Sequence, residues 1–185
     1  MTSPVLFDEE QIAEAVARLG AELSAAYDNG VILVGLLKGS VVFLADLVRT
    51  MTVTPIIDFM GVTSYTEGTG KVRIVKDLDM DITDRDVVLV DATLDTGLTV
   101  SYLLGELQAR SPRSVEVCVL LDKASRRVVP VDARFVGFAV DAPYVVGYGL
   151  DHAERYRNVP LIAAADPMEL AAEPDRLVPA LYSRG

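Results

Sequence analysis

One cysteine, one histidine and no tryptophan occur among the 185 residues. A lone Cys118 cannot form a disulfide within the chain. With His152 as the sole imidazole, there is no place for a Cys/His zinc set or a serine–histidine mechanism of the usual kind. Positive charge is also short: 17 Lys and Arg against 27 Asp and Glu leave a net charge of −10. That argues against a nucleic-acid partner, because phosphate contacts supply most of such affinity. The longest obvious apolar run, Val31–Leu37, falls far below the ~20 residues of a membrane helix. Met1–Glu10 has neither a basic segment nor a long apolar one, so no signal peptide and no membrane partner are expected. GxGxxG and GxxxxGKS/T runs are missing as well, which disfavours dinucleotide-cofactor and P-loop readings. The chemistry is left to carboxylates, Lys and Arg, and an oxygen-bound metal such as magnesium. A cytoplasmic protein is expected.

What the chain does have is apolar content, 51% of its residues, enough for one domain over 1–185 with a substantial core. Its organising stretch is Val87–Thr99. Val87-Val88-Leu89-Val90 reads as a buried parallel strand, with Asp91 where that strand should leave the sheet. Asp95-Thr96-Gly97-Leu98-Thr99 is a small-residue loop running into a helix whose apolar positions are Val100, Leu103, Leu104 and Leu107. Strand, glycine loop and helix N-terminus together make a phosphate cradle of backbone N–H groups and helix dipole. Two acids beside a phosphate need another task, such as holding sugar hydroxyls or accepting a proton.

Elsewhere Asp8 and Gln11 form a capping-box pattern, with Phe7 able to staple onto Ile12, ahead of a helix carrying Ile12, Val16, Leu19 and Leu23 on one face. Val31–Leu37 reads as a second buried strand ending in Lys38-Gly39-Ser40, either a plain turn or another anion loop. Pro55–Val62 and Val72–Lys76 read as two strands of a hairpin around the polar tip Thr63–Gly70, a surface loop or a lid. Ser114–Leu121 is a further buried strand, with Cys118 as core filler. Phe135–Phe138, Tyr144–Gly149 and Leu161–Ala164 read as short strands, and Leu150–Asn158 as a polar turn or short helix with His152 as a solvated loop residue. Residues 166–185, with Pro167, Pro174 and Pro179, are expected to be weakly structured. Alternating strands and helices imply an α/β domain with a mainly parallel sheet, whose ligands bind at the carboxyl ends of the strands.

Val87–Thr99 resembles the phosphoribosyl pyrophosphate motif of type I phosphoribosyltransferases. The likeness extends in order from about residue 4 to 164, through Leu36–Ser40, Thr63–Tyr65, Arg73–Asp79, Asp122–Arg127 and Val145–Asp151, and is to the purine enzymes of that family. It implies a mainly parallel sheet flanked by helices, with a small hood made from the terminal segments. It also implies transfer of phosphoribosyl from magnesium phosphoribosyl pyrophosphate to hypoxanthine or guanine, in a homodimer or homotetramer. Laid on this sequence, Asp95, Thr96, Gly97, Leu98 and Thr99 would bind the 5′-phosphate, and Asp95 would also be the general base for the purine nitrogen. Lys38 and Gly39 would bind pyrophosphate through backbone N–H groups, with a non-proline cis peptide before Lys38 or Gly39, and Arg157 would neutralise the leaving pyrophosphate. Lys123 would reach the exocyclic oxygen of a 6-oxopurine, Tyr144 would stack on the base, and the backbone of Val145 would read its edge. Asp151 would hold magnesium beside the purine site. Asp91 would take the ribose hydroxyls and a share of the metal. Ser64 and Tyr65 would form the lid.

One departure stands out. The family pairs two acids at the strand end, and here the pair is Asp91-Ala92, with Thr93 where an aliphatic residue is usual. Loss of a hydrogen bond from an anionic acceptor to ribose costs on the order of 1.5–3 kcal/mol, or about 10- to 150-fold. The sequence therefore supports a working purine phosphoribosyltransferase. The alternative is a catalytically weakened or inactive paralogue that binds nucleotide or phosphoribosyl pyrophosphate as a sensor.

Overall fold

The computed structural model describes residues 5–64 and 72–182. A six-stranded sheet carries the order β4-β3-β2-β5-β6-β7, built from β2 (Ile32–Leu37), β3 (Ile56–Ser64), β4 (Val72–Lys76), β5 (Asp86–Leu94), β6 (Ser114–Asp122) and β7 (Phe135–Ala139). All neighbours are parallel except the β3–β4 hairpin at one edge. The central strands are apolar on both faces, as helices covering both sides of a sheet require. Leu33, Val88 and Val90 pack with α1 (Glu9–Ala26) and α2 (Val41–Thr50) on one side. Ile32, Val34, Val87 and Leu89 pack with α3 (Leu98–Gln108) on the other.

α1 starts where the sequence places it. Asp8 Oδ1 accepts from the Gln11 N–H at 2.9 Å, and Gln11 Oε1 accepts from the Asp8 N–H at 3.0 Å, a reciprocal cap worth about 1 kcal/mol. Phe7 stacks on Phe138 with ring centroids 3.9 Å apart. Phe7 also ends β1 (Val5–Phe7), which pairs with β9 (Ile162–Ala164) and, through it, with β8 (Val145–Val146) in a three-stranded antiparallel sheet. This is the expected hood, made from both ends of the chain.

Two local expectations change. β5 does not end at Asp91: pairing with β6 runs on through Thr93 and Leu94, so the polar loop begins at Asp95. The tail holds two short helices, α4 (Pro167–Ala172) and α5 (Val178–Leu181). Pro167 sits in the first turn, where its missing N–H costs nothing, and Asp166 caps that turn by accepting from the N–H groups of Met168 and Glu169. Leu170 and Leu181 then bury themselves against Val146, Tyr156, Val159 and Ala163. Of the two alternatives for 150–158, a polar turn or a short helix, the turn holds. Tyr148, Ala153, Glu154 and Tyr156 have φ of +48°, +48°, +64° and +75°, a region incompatible with a right-handed helix.

Candidate active site

Two strand–loop–helix junctions lie at the carboxyl edge of the sheet. The first follows β2, where the Leu37–Lys38 peptide is cis, as the family resemblance implied. Ser40 is fully buried and its hydroxyl donates to Leu36 O at 2.7 Å, tying the junction back to the strand. The loop at 147–151 presses on it from outside. Gly149, at φ +95°, comes so close that a Cβ there would lie 2.3 Å from Gly39 O. Only glycine fits both the backbone angle and the contact.

The second junction follows β5. Gly97 has φ +85°, and a Cβ on it would meet Val129 O at 2.5 Å. The loop's carbonyls are occupied from its outer side: the N–H groups of Val128 and Val129 donate to Thr96 O at 2.9 and 3.0 Å, and Arg127 Nη1 donates to Asp95 O at 2.6 Å. Arg127 is itself paired with Asp122. The first turn of α3 has no side-chain cap hydrogen bond, and the Leu98 N–H reaches Thr96 Oγ1 only at 3.5 Å. Such a helix start presents N–H donors and a positive dipole end to an anion.

Asp91 is half-buried in β5, and its Oδ1 accepts from the Ala92 N–H at 2.7 Å. Burial pushes its carboxyl up to about 7, against the hydrogen bonds from the backbone of Ala92 and Thr93. Ala92 is fully buried, and the hydroxyl of Thr93 is buried without a hydrogen-bond partner among the described residues.

Apart from Ser64 and Tyr65, the remaining expected residues lie along two runs of polar contacts, Asp95 to Pro143 and Tyr144 to Lys38, joined at the Pro143–Tyr144 peptide. Asp95 Oδ1 accepts from Arg126 Nε at 2.8 Å, and Asp95 Oδ2 lies 3.8 Å from Lys123 Nζ. Lys123 is only 3% exposed; burial pulls its ammonium below the ordinary lysine value, and the charge of Asp95 opposes that pull. Its Nζ donates to Pro143 O at 3.4 Å, next to Tyr144 and the buried Val145. The Tyr144 hydroxyl donates to Asp151 O at 3.0 Å and lies 3.1 Å from His152 Nδ1. His152 is therefore not simply solvated: it is half-buried and stands edge-on to the Tyr144 ring. Asp151 Oδ1 pairs with Arg157 Nη2 at 2.9 Å, and Arg157 Nη1 donates to Gly149 O at 2.8 Å, back at the first junction. Lys38 ends the second run through Glu154, 2.8 Å away. Ser64 ends β3, whereas Tyr65, the other expected lid residue, lies outside the described residues.

The sequence reading assigned no role to Arg126, Arg127 or Glu154. Arg126 and Arg127 lie in the family-like stretch Asp122–Arg127, and Glu154 stands out only as charge in Asp151–Arg157, which ordinarily marks a solvated surface. Among the described residues no group of three or more His, Cys, Asp or Glu can hold a metal ion. Asp91 and Asp151 are single carboxylates. That donor set suits magnesium, which is commonly held by one or two carboxylates together with substrate phosphates. A cavity of about 600 Å³ between α1, α2 and residues 157–160 is separate from these contacts apart from Arg157, which borders both.

The phosphoribosyl transferase domain model matches residues 5–152. The chain belongs to the phosphoribosyltransferase family. Within the family its similarity is to the hypoxanthine-guanine type. It is 44% identical over 167 residues to the hypoxanthine-guanine phosphoribosyltransferase of Bacillus subtilis (strain 168), covering 88% of this chain and 93% of that protein. The crystal structure of a hypoxanthine-guanine phosphoribosyltransferase from Bacillus anthracis, with HEPES in its active site, superposes with a TM-score of 0.83 at 40% identity, covering 88% of this chain and 98% of the other. The hypoxanthine phosphoribosyltransferase of Trypanosoma cruzi in complex with the product IMP superposes at 0.82, with 33% identity over 89% of this chain and 94% of that one. The family match contains every expected site residue except Arg157, which follows it by five positions. No helix among the described residues is long and apolar enough to cross a membrane.

Proposed function

We propose that the protein transfers phosphoribosyl from phosphoribosyl pyrophosphate to a 6-oxopurine, hypoxanthine or guanine, in purine salvage. The observation that carries this reading is the position of Asp95. It opens the phosphate-suited loop before α3, and its carboxylate is fixed by Arg126 and next to the buried Lys123. In this reading a purine ring nitrogen bonds to C1 of the ribose while the C1–oxygen bond to pyrophosphate breaks. Pyrophosphate leaves with the bonding electrons, and Asp95 accepts the proton from the purine. Lys123 donates to the exocyclic oxygen, a contact that adenine, with an amino group there, cannot match. Tyr144 stacks on the base, held in place through Asp151 O and His152, and Val145 lends its backbone. The Asp95–Thr99 loop and the start of α3 bind the 5′-phosphate. Lys38, Gly39 and Arg157 bind pyrophosphate, and Asp91 binds the ribose hydroxyls. The family resemblance assigns the lid to Ser64 and Tyr65.

Asp151 and Asp91 are the carboxylates that would hold magnesium alongside substrate oxygens. The metal, when bound, supplies charge neutralisation on the diphosphate. That local charge, with Lys38 and Arg157, is how a chain of net charge −10 takes a polyanionic substrate, since the distant acidic surface is screened. A cytoplasmic homodimer or homotetramer is the expected setting.

The test is a steady-state assay with phosphoribosyl pyrophosphate, magnesium and each of hypoxanthine, guanine, xanthine and adenine. Nucleotide should form with hypoxanthine or guanine and not with adenine. Ala92 is the observation that favours a second reading, a nucleotide or phosphoribosyl pyrophosphate sensor with little catalysis. Binding by calorimetry with no nucleotide formed from any base would select that reading over the enzyme.

A further inference from the structure

The side chain of Lys38, from the loop whose backbone is assigned above to pyrophosphate, shares one carboxylate with Arg157. Lys38 Nζ lies 2.8 Å from Glu154 Oε1, while Arg157 Nε and Nη2 lie 3.2 and 3.1 Å from Glu154 Oε2. Each oxygen of Glu154 thus serves a different cation, as two oxygens of a diphosphate would. The backbone is shaped for this. Ala153 and Glu154 are both left-handed, at φ +48° and +64°, and the Glu154 N–H donates to Asp151 Oδ2 at 2.9 Å. A non-glycine residue keeps that conformation only where its surroundings hold it, and such positions concentrate at functional sites.

We infer that Glu154 is an internal competitor of pyrophosphate, a carboxylate that bridges Lys38 and Arg157 and is displaced when the diphosphate binds and returns as it departs. The inference rests on the reading that the Lys38-Gly39 backbone and Arg157 bind pyrophosphate, and adds the Lys38 ammonium to that site. Two features fit a displaceable group. Lys38 and Glu154 are about two-thirds exposed, at 66% and 64%, so the bridge is soft and water can replace either half. Arg157 does not depend on it, because Asp151 Oδ1 and Gly149 O still orient the guanidinium once Glu154 swings away. The consequence is a weaker hold on the product than the two cations alone would give, and a faster release of pyrophosphate.

The test compares wild-type protein with Glu154→Gln and Glu154→Asp, using the full chain with magnesium. Product inhibition by pyrophosphate and the KM for phosphoribosyl pyrophosphate are measured beside calorimetric binding of pyrophosphate itself. Glu154→Gln keeps the shape and removes the charge, so its inhibition constant should fall about two- to tenfold, as expected for losing two exposed ion pairs. The KM for phosphoribosyl pyrophosphate should fall with it, and pyrophosphate release should slow. Glu154→Asp retains the charge with a shorter reach and should lie between. A merely structural Glu154 would move these constants the other way, because the variant would loosen the site. An unchanged or raised inhibition constant in Glu154→Gln overturns the inference. Lys38→Met and Arg157→Met separate it from the reading beneath. If Arg157→Met does not weaken pyrophosphate binding, both fall; if it does, and either Lys38→Met leaves binding unchanged or Glu154→Gln does not strengthen it, the competitor role alone falls.

Discussion

Arg126 Nε donates to Asp95 Oδ1 at 2.8 Å, joining the residue that opens the phosphate loop after β5 to the 3-10 turn Ala124–Arg126 that follows β6. The acid proposed to take the purine proton is thereby oriented by a neighbouring strand end before any purine arrives. Asp95→Asn keeps the size and the hydrogen-bonding shape while removing the proton acceptor. It should lower kcat by about 10²- to 10⁴-fold, the usual worth of a positioned general base. Steady-state rates with saturating purine check this, and full activity in the variant would remove Asp95 from that role.

Ala92→Asp restores the second acid of the family motif at a position with no exposed surface. Two readouts should move in opposite directions. The protein alone should lose about 1–3 kcal/mol of stability, because the new carboxylate is buried without a partner. kcat/KM for phosphoribosyl pyrophosphate should rise, by up to about 100-fold, if a ribose contact is what the natural chain lacks. Melting curves with and without substrate, and kinetics, measure the two. An unchanged kcat/KM would mean that the contact is compensated, and Thr93→Val then tests the buried, unpartnered hydroxyl of Thr93.

Lys123 sets a pH limit. Burial lowers its ammonium pKa from the ordinary 10.5, and Asp95 only partly restores it. The folded state therefore binds fewer protons than the unfolded chain between that lowered value and 10.5, so the penalty of the buried charge is relieved as pH rises through this window. Function moves the opposite way, since the charged donor to the purine oxygen is lost over the same range. kcat/KM for hypoxanthine should fall on the alkaline side at a pH below 10.5. In Lys123→Arg, whose guanidinium stays protonated, that limb should move up even though overall activity is lower. A limb at the same pH in both proteins would exclude Lys123 as its source.

Two glycine substitutions should have opposite effects on stability. Gly149→Ala places a Cβ 2.3 Å from Gly39 O at a φ of +95°. It should destabilise the fold by about 1–3 kcal/mol and raise the KM for phosphoribosyl pyrophosphate by shifting the Lys38-Gly39 loop. Gly105→Ala lies in α3, where a Cβ meets nothing within 4 Å, and should stabilise by about 0.5–1 kcal/mol. Thermal melts of the two variants give the comparison directly.

The sequence by itself determined the parts whose cause is local. Apolar runs long enough to be buried on both faces marked β2, β5 and β6, and the Asp8–Gln11 cap marked the start of α1. The order of short motifs from Leu36 to Asp151 identified the family, because each loop carries its chemistry in consecutive residues. Only the tertiary structure decided what depends on residues far apart in the chain. Gly149 touches Gly39 across more than a hundred positions, Arg126 reaches Asp95 from the next strand, and Glu154 spans Lys38 and Arg157. The same holds for the tail, where Leu170 and Leu181 are helical because Tyr156 and Val146 give them a surface to cover. A charge run read along the chain looks like a solvated face. Folded, its members meet partners from other loops at the carboxyl edge of the sheet, and the geometry of those meetings, set by strand order, is absent from any single stretch.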